Sequence, residues 1–203
     1  DGVLPTTSAP TPGQFADAYE RAFTGGADEV VCICVSSEVS ATYNSALQAR
    51  TLLPDQSITV MDSRNISMGL GFMAIEAAKM AQLGAGVDAV IATATSVCKR
   101  TSLYAALATL KYLAMSGRVG HLVAGMADVL RIKPVLTMVD GKLDMLEKVR
   151  TRKKALVRVI QLTQESLGGQ PVEQMAVLHV DAEEDAHIFE ISLREALPCP
   201  EEI

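Results

Sequence analysis

The chain has no tryptophan and only four tyrosines and four phenylalanines in 203 residues. Binding of single-stranded nucleic acid relies on aromatic rings as stacking platforms, so this scarcity argues against a nucleic-acid partner. Long apolar runs are also lacking. A membrane-spanning helix needs about 20 apolar residues, whereas the longest uncharged run, Gly2 to Ala16, has 15 and is interrupted by Pro5, Pro10 and Pro12. No transmembrane segment is expected. The four cysteines, Cys32, Cys34, Cys98 and Cys199, form no Cys-x-x-Cys pair, and His121, His179 and His187 stand at no ligand spacing. Neither a disulfide framework nor a metal site follows. The thiols read as small buried hydrophobes in a reducing compartment, the cytoplasm. Gly69-Leu70-Gly71 lacks the third glycine of a dinucleotide fingerprint. No Walker loop, metalloprotease helix or nucleophile elbow is found either. No cofactor is expected, and binding is favoured over catalysis. The chain opens on Asp1 without an initiator Met or a charged-then-apolar leader, so a processed chain or a fragment is expected.

What is present is an ordinary globular composition, 49% hydrophobic and 21% charged. The net charge of −6 is unevenly spread. Residues 1–98 carry 4 basic and 10 acidic groups, residues 99–158 carry 13 and 4, and residues 159–203 carry 1 and 10. A cationic band within an acidic chain points to an anionic ligand or partner, or else to a solvated face. The densest part runs from Lys148 to Lys154, with Arg158 beyond.

Periodicity and turn signals predict an α/β protein of two domains. Thr11-Pro12-Gly13-Gln14 reads as a capping box with proline at the first helical position, and Phe15, Ala18, Tyr19, Ala22 and Phe23 share one helix face. Glu29–Ser36 is a β-branched run without alternation, as in a strand covered on both faces. A helix over Ala41–Leu52, a strand over Ser57–Met61 and a helix over Ser67–Leu83 complete a parallel α/β domain, residues 1–86. Residues 87–203 are expected to form a mixed-sheet α+β domain. It would hold a helix over 87–98, a strand over Thr101–Leu107 and a short helix over Leu110–Met115. A hairpin about Asp140-Gly141, a helix over Thr151–Leu167, a strand over Gln174–Val180 and a helix over Glu183–Ala196 follow.

Hydroxyls crowd two of these junctions: Thr6, Thr7 and Ser8 before the first helix, and Ser36, Ser37 and Ser40 before the second. Ligands of open α/β sheets sit beyond the carboxyl ends of strands, where helix N-termini aim amides at them. Ser40, with the Ala41 and Thr42 amides behind it, suits a carboxylate or phosphate. Equally, Ser40 reads as a simple helix cap. Asp62, ending the second strand, reads either as a base or as a cap of the helix that follows.

Six segments in register carry a specific resemblance. They are Thr7–Phe15, Ser36–Ala46, Val60–Arg64, Thr109–Leu113 with Gly117–Val119, Ile132–Leu136, and Lys148–Arg152. The first is similar to the Thr-Ser-Gln-Pro-Ser-Pro-Gly-Glu-Phe element of the DegV family, and the second to its Ser-Ser-x-Leu-Ser-Gly-Thr-Tyr-x-Ser-Ala. Together they run through about three-quarters of the chain.

The resemblance implies a DegV-like fold and a non-catalytic lipid-binding protein, similar to the FakB subunits of bacterial fatty acid kinase. It implies a long-chain fatty acid held between the two domains, its carboxylate presented to a separate ATP-using kinase subunit for acyl-phosphate formation. Carried over by motif, Thr7, Ser40 and the Ala41 amide would bind the carboxylate. Arg118, Arg150 and Arg152 would meet the kinase or the phosphate. Ala9 and Ala41 depart from the family's glutamine and glycine. Family members also begin with a strand and an Asp-Ser element and end with Gly-x-His-x-Gly-Pro-Gly. Neither stands in these 203 residues, so a piece incomplete at both ends is expected. The alternative is a small-molecule phosphotransfer enzyme related to dihydroxyacetone kinases. Those hold their sugar on a histidine, and no histidine here stands in a comparable motif.

Overall fold

The computed structural model describes residues 6–119, 122, 132–201 and 203. The chain divides into two units, Asp1–Thr101 with Val139–Lys142, and Ser102–Met138 with Leu143–Ile203.

The first unit begins with α1 (Pro12–Thr24), started by the expected capping box. The Thr11 hydroxyl accepts the Gln14 amide at 3.3 Å, and Gln14 Oε1 accepts the Thr11 amide at 2.9 Å. Two otherwise orphaned donors are thereby satisfied reciprocally. Strands β1 (Val30–Cys34) and β2 (Ile58–Asp62) flank α2 (Thr42–Thr51), and α3 (Ser67–Gln82) and α4 (Val87–Arg100) follow. The strands pair in parallel, from Val30↔Ile58 to Cys34↔Asp62. Val30, Cys32, Ile58 and Val60 pack with Ala16, Tyr19 and Ala49 of α1 and α2. Val31, Ile33 and Met61 pack with Met73, Ala77, Val90, Ala94 and Val97 of α3 and α4. Helices cover both faces of the sheet, which is why β1 has no polar alternation.

One boundary differs from the sequence reading. Helix α4 was expected to open the second domain after residue 86, yet its Val90, Ala94 and Val97 complete the α3 core, and the division falls after Thr101. An amphipathic helix joins whichever apolar face is on offer, and its own periodicity does not say which.

The second unit contains β3 (Tyr104–Ala106), α5 (Lys111–Met115), most of β4 (Lys133–Val139) and β5 (Lys142–Val149), α6 (Arg152–Leu167) and α7 (Glu183–Ala196). The sheet order is β3-β4-β5, with β3 antiparallel to β4. Between β4 and β5, Asp140 and Gly141 take φ of 50° and 81°. Positive φ at both central residues is the twist that a two-residue hairpin needs, and the Asp-Gly signal holds. Ala155 and Val159 of α6 pack on Val135, with Tyr104, Ala106, Val149, Leu162 and Phe189 around them.

Two expectations fail in this unit. Only Tyr104–Ala106 of the run 101–107 is strand, and 174–180 joins neither sheet. Apolar alternation makes a strand only where a neighbouring edge takes up its backbone bonds, and Leu178 and Val180 are 60% and 94% exposed. Without that segment the described sheet is antiparallel rather than mixed. Among the described residues, no helix is long and apolar enough to cross a membrane.

Candidate functional site

Parallel pairing brings the carboxyl ends of β1 and β2 side by side, and the loops leaving them are stitched together. The Ser36 amide donates to the Asn65 carbonyl at 2.9 Å, and the Ser63 amide to that of Cys34 at 3.0 Å. Ser36 is fully buried. Its hydroxyl donates to the Gly141 carbonyl at 2.6 Å and accepts the Glu38 amide at 3.3 Å. Its carbonyl accepts the Val39 and Ser40 amides, each at 3.1 Å. Ser37 donates its hydroxyl to Asp62 Oδ2 at 2.6 Å and its amide to Oδ1 at 3.2 Å. The Arg64 amide adds a third donor to Asp62, at 2.9 Å. Ser36 and Ser37 are therefore spent on shaping the loop. Asp62 is neither a free base nor a cap of α3, because it clamps the turn that follows β1. The Arg64 guanidinium donates to the Asp140 carbonyl.

Ser40 has a different environment. Its hydroxyl lies 2.7 Å from that of Thr42 and accepts the Thr42 amide at 3.3 Å. The capping position is Ala41, one residue later than expected, yet Ser40 still satisfies the first helical amide. Ala41 is exposed, and its amide has no hydrogen bond among the described residues. Ser40 and Thr42 are half-buried. Two paired hydroxyls and an open amide at the positive end of a ten-residue helix form a donor set for an anion. The Thr42 hydroxyl was missed in the sequence reading, which used only its amide. Its signal was a second hydroxyl two residues after Ser40, at the first helical position.

Thr7 is exposed ahead of α1, with no hydrogen bond among the described residues and none to Ser40. The arginines lie in the second unit. Arg118 is exposed and donates to the Ser116 carbonyl at 3.2 Å. Arg150 is exposed just past β5, whereas Arg152 is the first residue of α6 and pairs with Asp185 at 2.8 Å. Between them Thr151 caps α6, its hydroxyl accepting the Lys154 amide at 3.3 Å, so the two arginines belong to different elements. Arg152, Lys153 and Lys154 fill the first turn of α6, which holds no acidic residue of its own, against the sense of the helix dipole.

His179 accepts the Ala182 amide at 3.2 Å, and His187 lies 3.7 Å from Glu190. His121 lies outside the described residues. Among the described residues no group of three or more His, Cys, Asp or Glu stands where it could hold a metal ion.

The family model described as "Uncharacterised protein, DegV family" matches residues 1–202. The chain belongs to the DegV family. A DegV domain-containing protein of Streptomyces coelicolor is 37% identical over 193 residues, which is 95% of this chain and 68% of that protein. Among solved structures, a DegV family protein of Corynebacterium glutamicum superimposes with a TM-score of 0.87 at 29% identity, over 98% of this chain and 75% of the other. The DegV protein of Thermus thermophilus, described for its fatty acid binding, gives 0.81 at 29%, over 98% and 71%. One from Eubacterium eligens, loaded with heptadecanoic acid, gives 0.83 at 25%, over 98% and 71%. DegV membership accounts for the α/β architecture with one parallel and one antiparallel sheet.

Proposed function

We propose that this DegV chain binds a long-chain fatty acid and orients its carboxylate at the N-terminus of α2. The observation that carries the reading is the half-buried Ser40–Thr42 hydroxyl pair beside the unbonded Ala41 amide. Thr7 supplies a further hydroxyl once ligand is bound, its own being uncommitted. The DegV relatives described for fatty acid binding or loaded with a fatty acid support the choice of ligand. Burial of an acyl chain gains about 0.8 kcal/mol per methylene, so the apolar tail dominates affinity and the polar end sets direction. The chain carries no chemical step itself in this reading. It presents the carboxylate to a separate ATP-using subunit in the cytoplasm, and the exposed cations Arg118, Arg150 and Arg152 receive that partner or the acyl phosphate.

Ser40→Ala and Thr7→Ala are each expected to weaken fatty-acid binding by about 1–3 kcal/mol, the range for a lost charge-assisted hydrogen bond. Titration calorimetry with a saturated C17 acid measures it. Unchanged affinity in both variants would sink the carboxylate assignment.

A further inference from the structure

The loop that carries Ser40 is held by a residue from far along the chain. Val139–Lys142, the tip of the β4–β5 hairpin, belongs to the first unit, while the rest of both strands belongs to the second. Lys142 pairs with Glu38 at 3.3 Å and Arg64 with Asp140 at 3.9 Å. Both pairs are exposed, so each contributes little. The buried link is the Ser36 hydroxyl, which donates to the Gly141 carbonyl at 2.6 Å. A hydroxyl has one hydrogen and two lone pairs. With the hydrogen committed to Gly141, a lone pair meets the Glu38 amide at 3.3 Å. The Ser36 carbonyl accepts the next two amides, those of Val39 and Ser40. Three successive amides thus depend on Ser36, and the Gly141 carbonyl fixes its hydroxyl. The groups that follow directly are the Ser40 hydroxyl and the Ala41 amide.

The hairpin approaches this turn as closely as a glycine permits. Gly141 is buried, and a Cβ on it would stand 2.7 Å from Ser36 Oγ and 3.3 Å from Glu38 Cγ. The positive φ of 81° serves the two-residue turn, but the turn does not require that contact. Gly84, after α3, has nearly the same φ of 79°, and a Cβ there would meet nothing within 4 Å. We propose that Gly141 is a positioning residue for the anion-donor set. Its carbonyl orients Ser36, and Ser36 orders the turn that sets the Ser40 hydroxyl and the Ala41 amide. The consequence for ligand rests on the fatty-acid reading; the consequence for the turn does not.

The test compares Gly141→Ala with Gly84→Ala in the full chain. Both alanines bear the same backbone strain, and only the first meets Ser36. Residue-resolved hydrogen exchange reads the Glu38, Val39 and Ser40 amides, and calorimetry with a saturated C17 acid reads binding. In Gly141→Ala the three amides are expected to exchange at least about ten-fold faster, while those of β1 change by less than about two-fold. The acid is expected to bind at least about five-fold more weakly. Gly84→Ala is expected to leave both readings within about two-fold of the unchanged chain. Ser36→Ala should reproduce both effects, and it carries the comparison if Gly141→Ala does not fold. Exchange of the three amides in Gly141→Ala no faster than in Gly84→Ala would overturn the proposal. So would faster exchange with undiminished binding. An unchanged chain that binds no acid counts against the fatty-acid reading alone, and the exchange comparison then decides the role of Gly141.

Discussion

Replacing the fully buried Ser36 with alanine removes a 2.6 Å bond to the Gly141 carbonyl and the acceptor of the Glu38 amide. A loss of about 1–3 kcal/mol in unfolding free energy is expected, measurable by urea denaturation, because the buried Gly141 carbonyl loses this partner. Thr7→Ala is expected to change stability by no more than about 0.5 kcal/mol, since Thr7 is exposed and has no hydrogen bond among the described residues. Its effect should fall on ligand binding alone, so the pair of variants separates a residue that builds the site from one that serves the ligand. The three serines of the Ser36–Ser40 turn look alike in the sequence. Their fates are fixed by partners far along the chain, Gly141 for Ser36 and Asp62 for Ser37. Local spacing could single out Ser40 as a donor, and it could not reveal that its neighbours were already committed.

At the scale of elements, local chemistry was easily read and long-range pairing was not. The capping box of α1 and the Asp-Gly hairpin each depend on residues within four positions, and both formed as expected. Segment 174–180 needed an edge to pair with, and α4 needed a face to cover, and neither requirement is written locally. The glycines of α3 illustrate the same limit. Gly69-Leu70-Gly71 fails as a dinucleotide fingerprint, and the fold supplies another use for Gly69. A Cβ there would stand 2.2 Å from Oδ1 of the buried Asn65, which accepts the Ile66 amide at 3.2 Å. Gly69→Ala is therefore expected to destabilise by about 1–3 kcal/mol, as overpacking does, instead of giving the gain of about 0.4–1 kcal/mol seen where the added methyl fits. Urea unfolding distinguishes the two signs.

Across the whole molecule, the residues named in the proposed function fall in different units. The anion-donor set lies in the first, and the cationic run spans the end of β5 and the start of α6 in the second. Three cations in the first turn of α6 oppose its dipole, an arrangement that stability alone does not favour. Arg150→Glu with Arg152→Glu is expected to abolish kinase-dependent phosphorylation while leaving fatty-acid affinity unchanged. A radiolabelled phosphate transfer assay and calorimetry on the same double variant would read both, and an unaltered transfer rate would make the run a solvated face. The measurement that bears most directly on fatty-acid binding is native mass spectrometry of the purified 21.6 kDa chain before and after organic extraction. The expected result is one long-chain fatty acid per chain, lost on extraction and regained when a C17 acid is added back. A chain that carries no such adduct and takes up no added fatty acid would contradict the proposed function.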